Sequence, residues 1–479
     1  MGLSRYAALS VIFTSLCMGA PALAQISELG TVPISDPVTV STSDPVTVPE
    51  SDLIAVQSFD SVVAKTSGDA CLSVGEAFSR AATRAPSFQI ASARAGEAFA
   101  DVTQAKSLFR PRLSGFGRSG AGDTGIVDSG VSNQVGARAS QRIFDFGDAK
   151  YARLAARSEL ESREFEADEA ANTAIVQTAL SILQLQQVSA QQELTEARRD
   201  YFARQYEATN KLLDLGGATL TDAANIASRL AETDAFYLEL EFSKERAQTE
   251  IESDTQSPFP LCEQRLDVAK LVPNSFDLFS TETAVATAVN NNLALKALDK
   301  RVENLSAQQE RQKRNRLPVI EVVGTSSYSS FDGFGDFDFT NRVGVDVSVP
   351  FAGGTLKSDA QRAGARLNLS LAERSRAERE LEERIKIALK RVRSLEAQIP
   401  QFKIIEEQMF IQFEAAQTEE TIGTKTLSDI IDIRLQYEEA GLRRINGEFD
   451  LEREKLTLLA MTGVLQKTFG PERTDYFSR

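Results

Sequence analysis

The sequence predicts a mainly α-helical fold with a small β part, built from two tandem copies of one unit. Shifting the chain by 207 positions aligns Pro111 with Pro318, and residues 211–246 then give ten identities in 36 pairs, which is typical of a duplication. Residues 148–215 contain neither Gly nor Pro, which favours one very long helix. Two short segments of alternating apolar and polar residues precede each long helical stretch and predict strands.

The composition excludes several classes of protein. The 479 residues carry a formal net charge of −15, contain no His, and have three Cys, at Cys17, Cys71 and Cys262. Catalytic triads and zinc motifs that need His are therefore absent, as are CxxC pairs. No nucleophile with a positioned base can be assembled, so we expect neither an enzyme nor a cofactor. The acidic balance without Lys/Arg clusters argues against nucleic acid as a partner.

The N-terminus is typical of an exported protein. Residues 1–24 contain Arg5, an apolar stretch and the Ala22-Leu23-Ala24 cleavage pattern, which predict a signal peptide. Lipidation of Cys17 is the alternative, but Leu16 is not the small residue that lipidation requires before the cysteine. Residues 25–70 are rich in Ser, Thr, Pro and Asp, and we expect a disordered extension. No other apolar run is long enough for a transmembrane helix.

Two cysteines remain after removal of the signal peptide, Cys71 and Cys262. Export to an oxidising compartment favours a disulfide between them, with two unpaired thiols as the alternative. In the chain-entropy model such a bridge contributes roughly 5 kcal/mol. The same positions bound the first repeat, 71–262. The second repeat is expected at 263–466, followed by a short tail at 467–479.

Each repeat is expected to contain a helical stretch, two strands, a very long helix, a glycine turn and another helix. The first long helix would extend about 100 Å at 1.5 Å per residue. Its counterpart runs from about Thr355 to Ile422 and contains Pro400, which predicts a kink or bulge near residues 398–402. Narrow apolar seams on both helices favour coiled-coil packing against neighbours.

The alternating segments predict four strands, at about 112–118, 135–143, 319–330 and 342–350. In the last of these Val343, Val345 and Val347 share one face. Four strands have the length for a membrane, but about eight is the smallest closed barrel, so two, three or four chains would have to combine into eight, twelve or sixteen strands. A small soluble sheet that caps a helical bundle is the alternative.

Both predicted helix-to-helix turns contain glycine followed by Thr-x-x-Asp. The first turn has Gly216 and Gly217, and the second has Gly423 and Thr424. The pairs Thr219/Asp222 and Thr426/Asp429 resemble capping boxes, which explains both aspartates without any functional role. Asp432 lies one turn beyond Asp429 on the same helix face. That face is either a solvated outer surface or, in a symmetric oligomer, a ring of negative charge that attracts cations.

The arrangement resembles the TolC family of Gram-negative outer-membrane channel proteins over about residues 71–465. The resemblance is carried by the duplication, by Phe351-Ala-Gly-Gly354 before the second long helix, and by Ile422-Gly-Thr-Lys-Thr-Leu-Ser-Asp-Ile-Ile-Asp432. It implies a homotrimer whose twelve strands form a β-barrel in outer-membrane lipid. The barrel continues into a periplasmic α-helical barrel, so most of the chain would lie in the periplasm.

The resemblance also implies roles for the turns. Asp429 and Asp432 correspond to an acidic ring at the pore entrance, and Lys425 with Asp222 to an ion pair that helps hold the entrance closed. The tips at Gly216, Gly217, Gly423 and Thr424 would dock a periplasmic adaptor (a membrane fusion protein). Glu420 stands where the best-known members have tyrosine, and Lys425 replaces an arginine, so a looser closed network is expected.

These features predict a passive exit duct of a tripartite export system, serving type I protein secretion or multidrug efflux. Docking of an inner-membrane transporter and the adaptor would open it. A different class of protein, a periplasmic coiled-coil adaptor or scaffold without a pore, is the alternative hypothesis. The cargo depends largely on the transporter, and no residue of this chain specifies it.

Overall fold

The structure is a computed structural model, which describes residues 71–122, 130–262, 265–271, 283–331, 337–350 and 354–473. The predicted signal peptide (1–24) and extension (25–70) lie outside these ranges, as do residues 474–479 of the predicted tail. Residues 351–353 of the Phe-Ala-Gly-Gly motif also fall outside them.

Two halves of the chain repeat one order of elements. The first half contains α1 (Val74–Arg84), α2 (Pro86–Lys106), β1 (Arg112–Gly122), β2 (Gly130–Phe144), α3 (Asp148–Asp214) and α4 (Leu220–Thr255). The second contains α5 (Thr283–Asn291), α6 (Leu293–Arg314), β3 (Val319–Phe331), β4 (Phe337–Ser348), α7 (Thr355–Thr421), α8 (Leu427–Met461) and α9 (Val464–Phe469). The long helices α3 and α7 have 67 residues each, about 100 Å.

The strands form one antiparallel sheet in the order β1-β2-β3-β4. All four strands are longer than the sequence pattern predicts. The ladder of β1 and β2 continues through segments with Gly and Ser whose composition resembles turns, and β3 gains one residue, Phe331. β4 begins earlier than predicted and ends at Ser348, ahead of Pro350, which has no N–H to donate. Within the described chain β1 and β4 each pair on one side only, so the sheet has two open edges.

A charged junction joins the sheet to α3. The Asp145 carboxylate accepts hydrogen bonds from the N–H groups of Gly147 at 3.0 Å and Ala149 at 2.8 Å, which caps the start of the helix. Arg142 forms ion pairs with Asp145 at 3.6 Å, with Asp148 at 3.3 Å and with Glu321 of β3 at 3.5 Å. The junction therefore fixes the direction in which α3 leaves the sheet.

α3 is the central helix of the fold. It packs along α2, α4, α6 and α8, and α7 packs along α8 and α6. The largest fully buried side chains of the main core are Phe78, Ile175, Ile182, Leu183, Ile385, Leu456 and Leu459. Each contributes about 1.5–3 kcal/mol by leaving water, so the helices are stabilised chiefly by packing against one another.

Of the kink or bulge predicted near residues 398–402, the bulge is wrong, and the kink stays a prediction. α7 is helical without interruption from Thr355 to Thr421, and no bulge is present around Pro400. The next turn packs closely on α8: a Cβ atom added to Gly447 would lie 3.1 Å from the ring of Phe402 and 3.7 Å from Ile399. We attribute the continuity of the helix to this close contact, which holds both sides of the proline.

Cys71 and Cys262 are joined by a disulfide. Beside it Leu72 and Leu261 form an isolated parallel bridge, in which the Cys262 N–H donates to the Leu72 carbonyl at 3.0 Å. Leu72 is buried in the main core. The beginning of the described chain is thus fastened to the segment that follows α4.

Among the helices that the structure describes, none combines the length and apolarity needed to cross a membrane. The described residues also contain no cluster of three or more His, Cys, Asp or Glu side chains arranged to hold a metal ion.

The close approach at Gly447 can be tested by substitution. We expect Gly447→Leu to destabilise the protein by about 1–3 kcal/mol, because the new side chain overlaps the Phe402 ring. Thermal unfolding of the purified protein measures this. Gly96→Leu on α2 is the matched control, since a Cβ atom there meets nothing within 4 Å. Equal stability of G447L and wild type would contradict the packing described here.

Glu169 of α3 makes the stability of the folded protein depend on pH. It lines a cavity of about 340 Å³ together with Leu295, Leu381 and Arg384, and burial raises its pKa from 4.5 to about 7. The folded state therefore keeps a proton that the unfolded state loses above about pH 4.5, so stability falls as pH rises from 4.5 towards 7. We expect Glu169→Gln to raise the free energy of unfolding at pH 8 by about 2 kcal/mol at most, given the partial exposure, and therefore to have a higher Tm than wild type.

The difference should shrink when the two proteins are compared at pH 5. Glu97→Gln, at an exposed position on α2, serves as the control and should give the same small difference at both pH values. If the difference in Tm between E169Q and wild type is the same at pH 5 and at pH 8, burial of Glu169 carries no such penalty.

Candidate functional site

The candidate site is formed by the two helix-to-helix turns, α3 to α4 and α7 to α8. Gly216 and Gly423 occupy equivalent positions with φ of 75° and 76°, a left-handed conformation that favours glycine. The next N–H in each turn, of Gly217 and Thr424, donates to the carbonyl five residues back, at 2.7 and 3.0 Å. Both turns are therefore the Schellman type of helix ending.

Both following helices begin with a complete capping box. The Thr219 and Thr426 hydroxyls donate to Asp222 and Asp429 at 2.7 Å, and the threonine N–H groups donate at 3.1 and 3.0 Å. These hydrogen bonds lower the pKa of both carboxyls, and Lys425 lowers that of Asp429 further. Capping thus accounts for the position of both aspartates, and it keeps both charges present at neutral pH.

Asp432 is exposed, one turn beyond Asp429, and takes no part in the cap. The two carboxylates add negative charge to the same end of α8. Lys425 forms no ion pair within the described chain, and Asp222 is held by Thr219. The structure therefore does not bring Lys425 and Asp222 together inside one chain, and their ion pair stays a prediction for a contact between hairpins of an assembly.

Large apolar side chains surround the turns, and the sequence analysis did not single them out. Leu215 is 83% exposed, Leu220 74% and Ile422 71%. Leu215 and Ile422 are equivalent positions, each immediately before the turn glycine. Apolar groups exposed together at one end of a molecule are typical of a contact surface.

A small separate core lies directly beneath the turns. Its buried members come from all four long helices, α3, α4, α7 and α8: Tyr201, Phe202, Ile226, Phe413, Ala416, Ile430, Ile431 and Ile433. Because this cluster joins the first hairpin to the second, the positions of the two turns relative to one another depend on it.

A buried charge cluster adjoins the small core. Glu438 is 2% exposed and pairs with Arg434 at 2.6 Å and with Arg198 of α3 at 3.4 Å. Burial raises the pKa of Glu438 to about 7, although both arginines act to lower it. Arg434 also lies 4.9 Å from the ring centroid of Phe413, within the range of a cation–π contact.

Sequence reasoning missed this cluster. Its only signal is the four-residue spacing of Arg434 and Glu438, which Glu439 and Arg443 share on the exposed side of the same helix. Spacing alone does not distinguish a buried pair from a solvated one. The arrangement at the turns thus offers fixed charge and apolar contact area, while the described residues around it hold no metal-binding group.

Part of the chain resembles proteins of a known family. The model of the family described as outer membrane efflux protein matches residues 77–253. The proteases secretion protein PrtF of Dickeya chrysanthemi is 26% identical over 186 residues, which are 38% of this chain. The matched part spans 40% of the length of that relative.

Solved structures share the fold. The CmeC outer membrane channel of Campylobacter jejuni superposes with a TM-score of 0.70 at 14% identity, over 81% of this chain and 85% of that one. VceC, an outer membrane protein of Vibrio cholerae, gives 0.69 at 17% identity over 81% and 96%. The predicted resemblance to TolC-family proteins is confirmed.

The capping box of the second turn can be tested through local opening. Thr426→Ala removes the hydroxyl that caps Asp429, so we expect amide hydrogen exchange in residues 422–432 to become several-fold faster. Mass spectrometry of exchanged peptides measures it. Ser428→Ala, at an exposed position on the same turn, is the control and should leave the rates unchanged. Unchanged exchange in T426A would mean that the turn is held by other contacts.

Proposed function

We propose, from the resemblance to TolC-family channels in sequence and in fold, that this chain forms the outer-membrane duct of a tripartite export system. The duct is passive: an inner-membrane transporter moves the cargo, and this protein supplies the exit path. The observation that carries the proposal is a four-stranded sheet with two open edges, attached to helices of about 100 Å.

The open edges support an assembly of several chains. Backbone N–H and C=O groups along β1 and β4 have no partner on their outer side within the described chain. In lipid each unpaired group costs several kcal/mol, so only a closed barrel spans a membrane as a sheet. β4 of one protomer pairing with β1 of the next would close the ring, and three copies give twelve strands, the number that the resemblance implies.

The two faces of the sheet support the same orientation in a membrane. Val343, Val345 and Val347 are exposed on one face of β4, and the paired residues of β3 continue that face with Ile320 and Val322. A lipid-facing strand requires such an apolar face, with polar residues opposite. The helices would then extend into the periplasm and form an α-helical barrel.

The turns support a gated entrance at the far end of the helices. Copies of Asp429 and Asp432 would form a ring of negative charge around the axis, which favours cations over anions. Lys425 of one hairpin and Asp222 of another would form the ion pair that holds the entrance closed. Lysine lacks the planar fork of arginine, so this pair is weaker than an arginine pair would be.

The same end supports docking of a partner. Leu215, Leu220 and Ile422 expose apolar area beside the glycines and Thr424. An adaptor protein that covers these side chains would remove them from water, which favours association. We propose the two turns as the adaptor-docking tips and the transporter–adaptor complex as the agent that opens the entrance.

The name of one relative bears on the cargo. PrtF is described as a proteases secretion protein, and a polypeptide cargo for this chain is accordingly favoured over a small molecule. Outer-membrane location, with most of the chain in the periplasm, follows from the proposed barrel.

Ion selectivity tests the duct and its entrance together. Purified protein in planar bilayers should conduct and should prefer K⁺ to Cl⁻, as measured by the reversal potential in a KCl gradient. The double substitution Asp429→Asn with Asp432→Asn should lower the K⁺/Cl⁻ permeability ratio several-fold, because the fixed charge near the axis is removed.

Asp101→Asn is the matched control, since Asp101 is exposed on α2, which adjoins the sheet end of the molecule, and should leave the ratio unchanged. Full solubility without detergent and no conductance would refute the duct, and would favour the scaffold alternative. Conductance with an unchanged ratio in the double variant would refute only the acidic ring.

A further inference from the structure

The polar face of the sheet carries a concentration of arginine. Strand register places Ser114, Arg138, Thr325 and Arg342 side by side across all four strands. The neighbouring row on the same face, nearer the helices, contains Arg112 opposite Ser140. Rows on one face are about 7 Å apart and adjacent strands about 4.8 Å, so the backbone of Arg138 lies about 8 Å from that of Arg112 and about 10 Å from that of Arg342.

Arg138 and Arg342 lack the compensation that the next row has, and Arg112 lines a cavity together with Asp101 and Glu159 but forms an ion pair with neither. Arg142 lies one row closer to the helices and is neutralised by Glu321, Asp145 and Asp148. By contrast, Arg112, Arg138 and Arg342 are exposed and form no ion pair within the described residues. In a chain of net charge −15, this is a local reversal of sign.

An aromatic side chain extends the same surface on the side of Arg138 that is farther from the helices. Phe116 lies one row beyond Arg138, over Gly136, where an added Cβ atom would come within 2.7 Å of the Phe116 ring. The Arg118 guanidinium lies 5.6 Å from that ring centroid. The polar face thus combines positive charge with an aromatic surface and is not simply a hydrated, uncharged wall.

Position in the fold separates this surface from the acidic turns. The sheet and the turns lie at opposite ends of α3, which is about 100 Å long. At physiological salt, charges interact over about 8–10 Å, so the two zones act independently. An anion at the sheet experiences the arginines and not the carboxylates of the entrance.

We propose that Arg112, Arg138 and Arg342 form a cationic band that binds carboxylate-rich stretches of polypeptide at the outer end of the duct. The inference rests on the proposed function, since only a barrel would turn this face inwards and bring the arginines of several protomers together. Guanidinium groups bind carboxylates in a bidentate manner. Single exposed contacts are weak, so many together hold an acidic segment transiently and leave it free to move on.

The occupant is an acidic polypeptide, on grounds of charge complementarity and spacing. Successive residues of an extended chain are about 3.3 Å apart, so carboxylates on alternate residues recur about every 7 Å, as the rows do. The opposite, apolar face of the sheet is the one suited to lipid, so a phosphate-bearing lipid surface is disfavoured as the ligand.

A binding measurement tests the band without requiring a conducting pore. Fluorescent poly-L-glutamate is titrated with the full-length protein in detergent at low salt, and the anisotropy gives the Kd. We expect Arg138→Gln with Arg342→Gln to raise the Kd about ten-fold or more, since a contact is lost from each protomer at both positions. Arg138→Lys with Arg342→Lys should give a smaller rise, because charge remains while the planar fork is lost.

Arg94→Gln is the matched control, an exposed arginine on α2 that should leave the Kd unchanged. An equal Kd for wild type and R138Q/R342Q would overturn the band, and so would failure of the wild type to bind poly-L-glutamate. Conductance in bilayers tests the duct separately. If the protein conducts but its binding of poly-L-glutamate does not depend on these arginines, the duct is supported and the cationic band is refuted. Protein that binds poly-L-glutamate through the arginines but does not conduct would support the cationic band and refute the duct.

Discussion

Pairing of backbone hydrogen-bonding groups at the edges of the sheet is the constraint on which the rest of the structure depends. A single chain supplies four strands and leaves β1 and β4 open on one side. Water could satisfy those groups, but lipid cannot. The open edges of β1 and β4 therefore need strands of other chains before the sheet is stable in a membrane. This need requires an oligomer, and the proposed number of three chains comes from the resemblance to TolC-family channels.

The long helices, like the strands, depend on neighbours for their stability. A helix of 67 residues has no stability of its own beyond its local hydrogen bonds and depends on neighbours along its length. α3 obtains them from four helices, and α7 from α6 and α8. Close approach at Gly447 lets the bulky Phe402 ring fit between α7 and α8. At the far end both hairpins have turns of the same conformation, and the helix after each turn begins with a capping box.

Much of this could be predicted from the sequence because it depends on local patterns. The absence of Gly and Pro gave the extent of α3, and Thr-x-x-Asp gave the starts of α4 and α8. The bulge predicted at Pro400 is absent, because packing around Phe402 maintains the helix that proline alone would disturb. The Glu438 cluster and the row shared by Arg138 and Arg342 were not predictable, because each depends on which distant segments meet. Alternation assigns a residue to a face, but only the register brings residues from the two halves side by side.

The bond between Cys71 and Cys262 encloses the six elements from α1 to α4, including β1 and β2, in one covalent ring. A protease that cuts once anywhere within this ring therefore opens it without releasing a fragment. The two ends created by the cut remain tethered through sulfur, and the interlocked helices continue to hold them in register. A nick in a surface-facing turn would leave this half of the molecule in one piece, so it tolerates a kind of damage that would sever an unbridged chain.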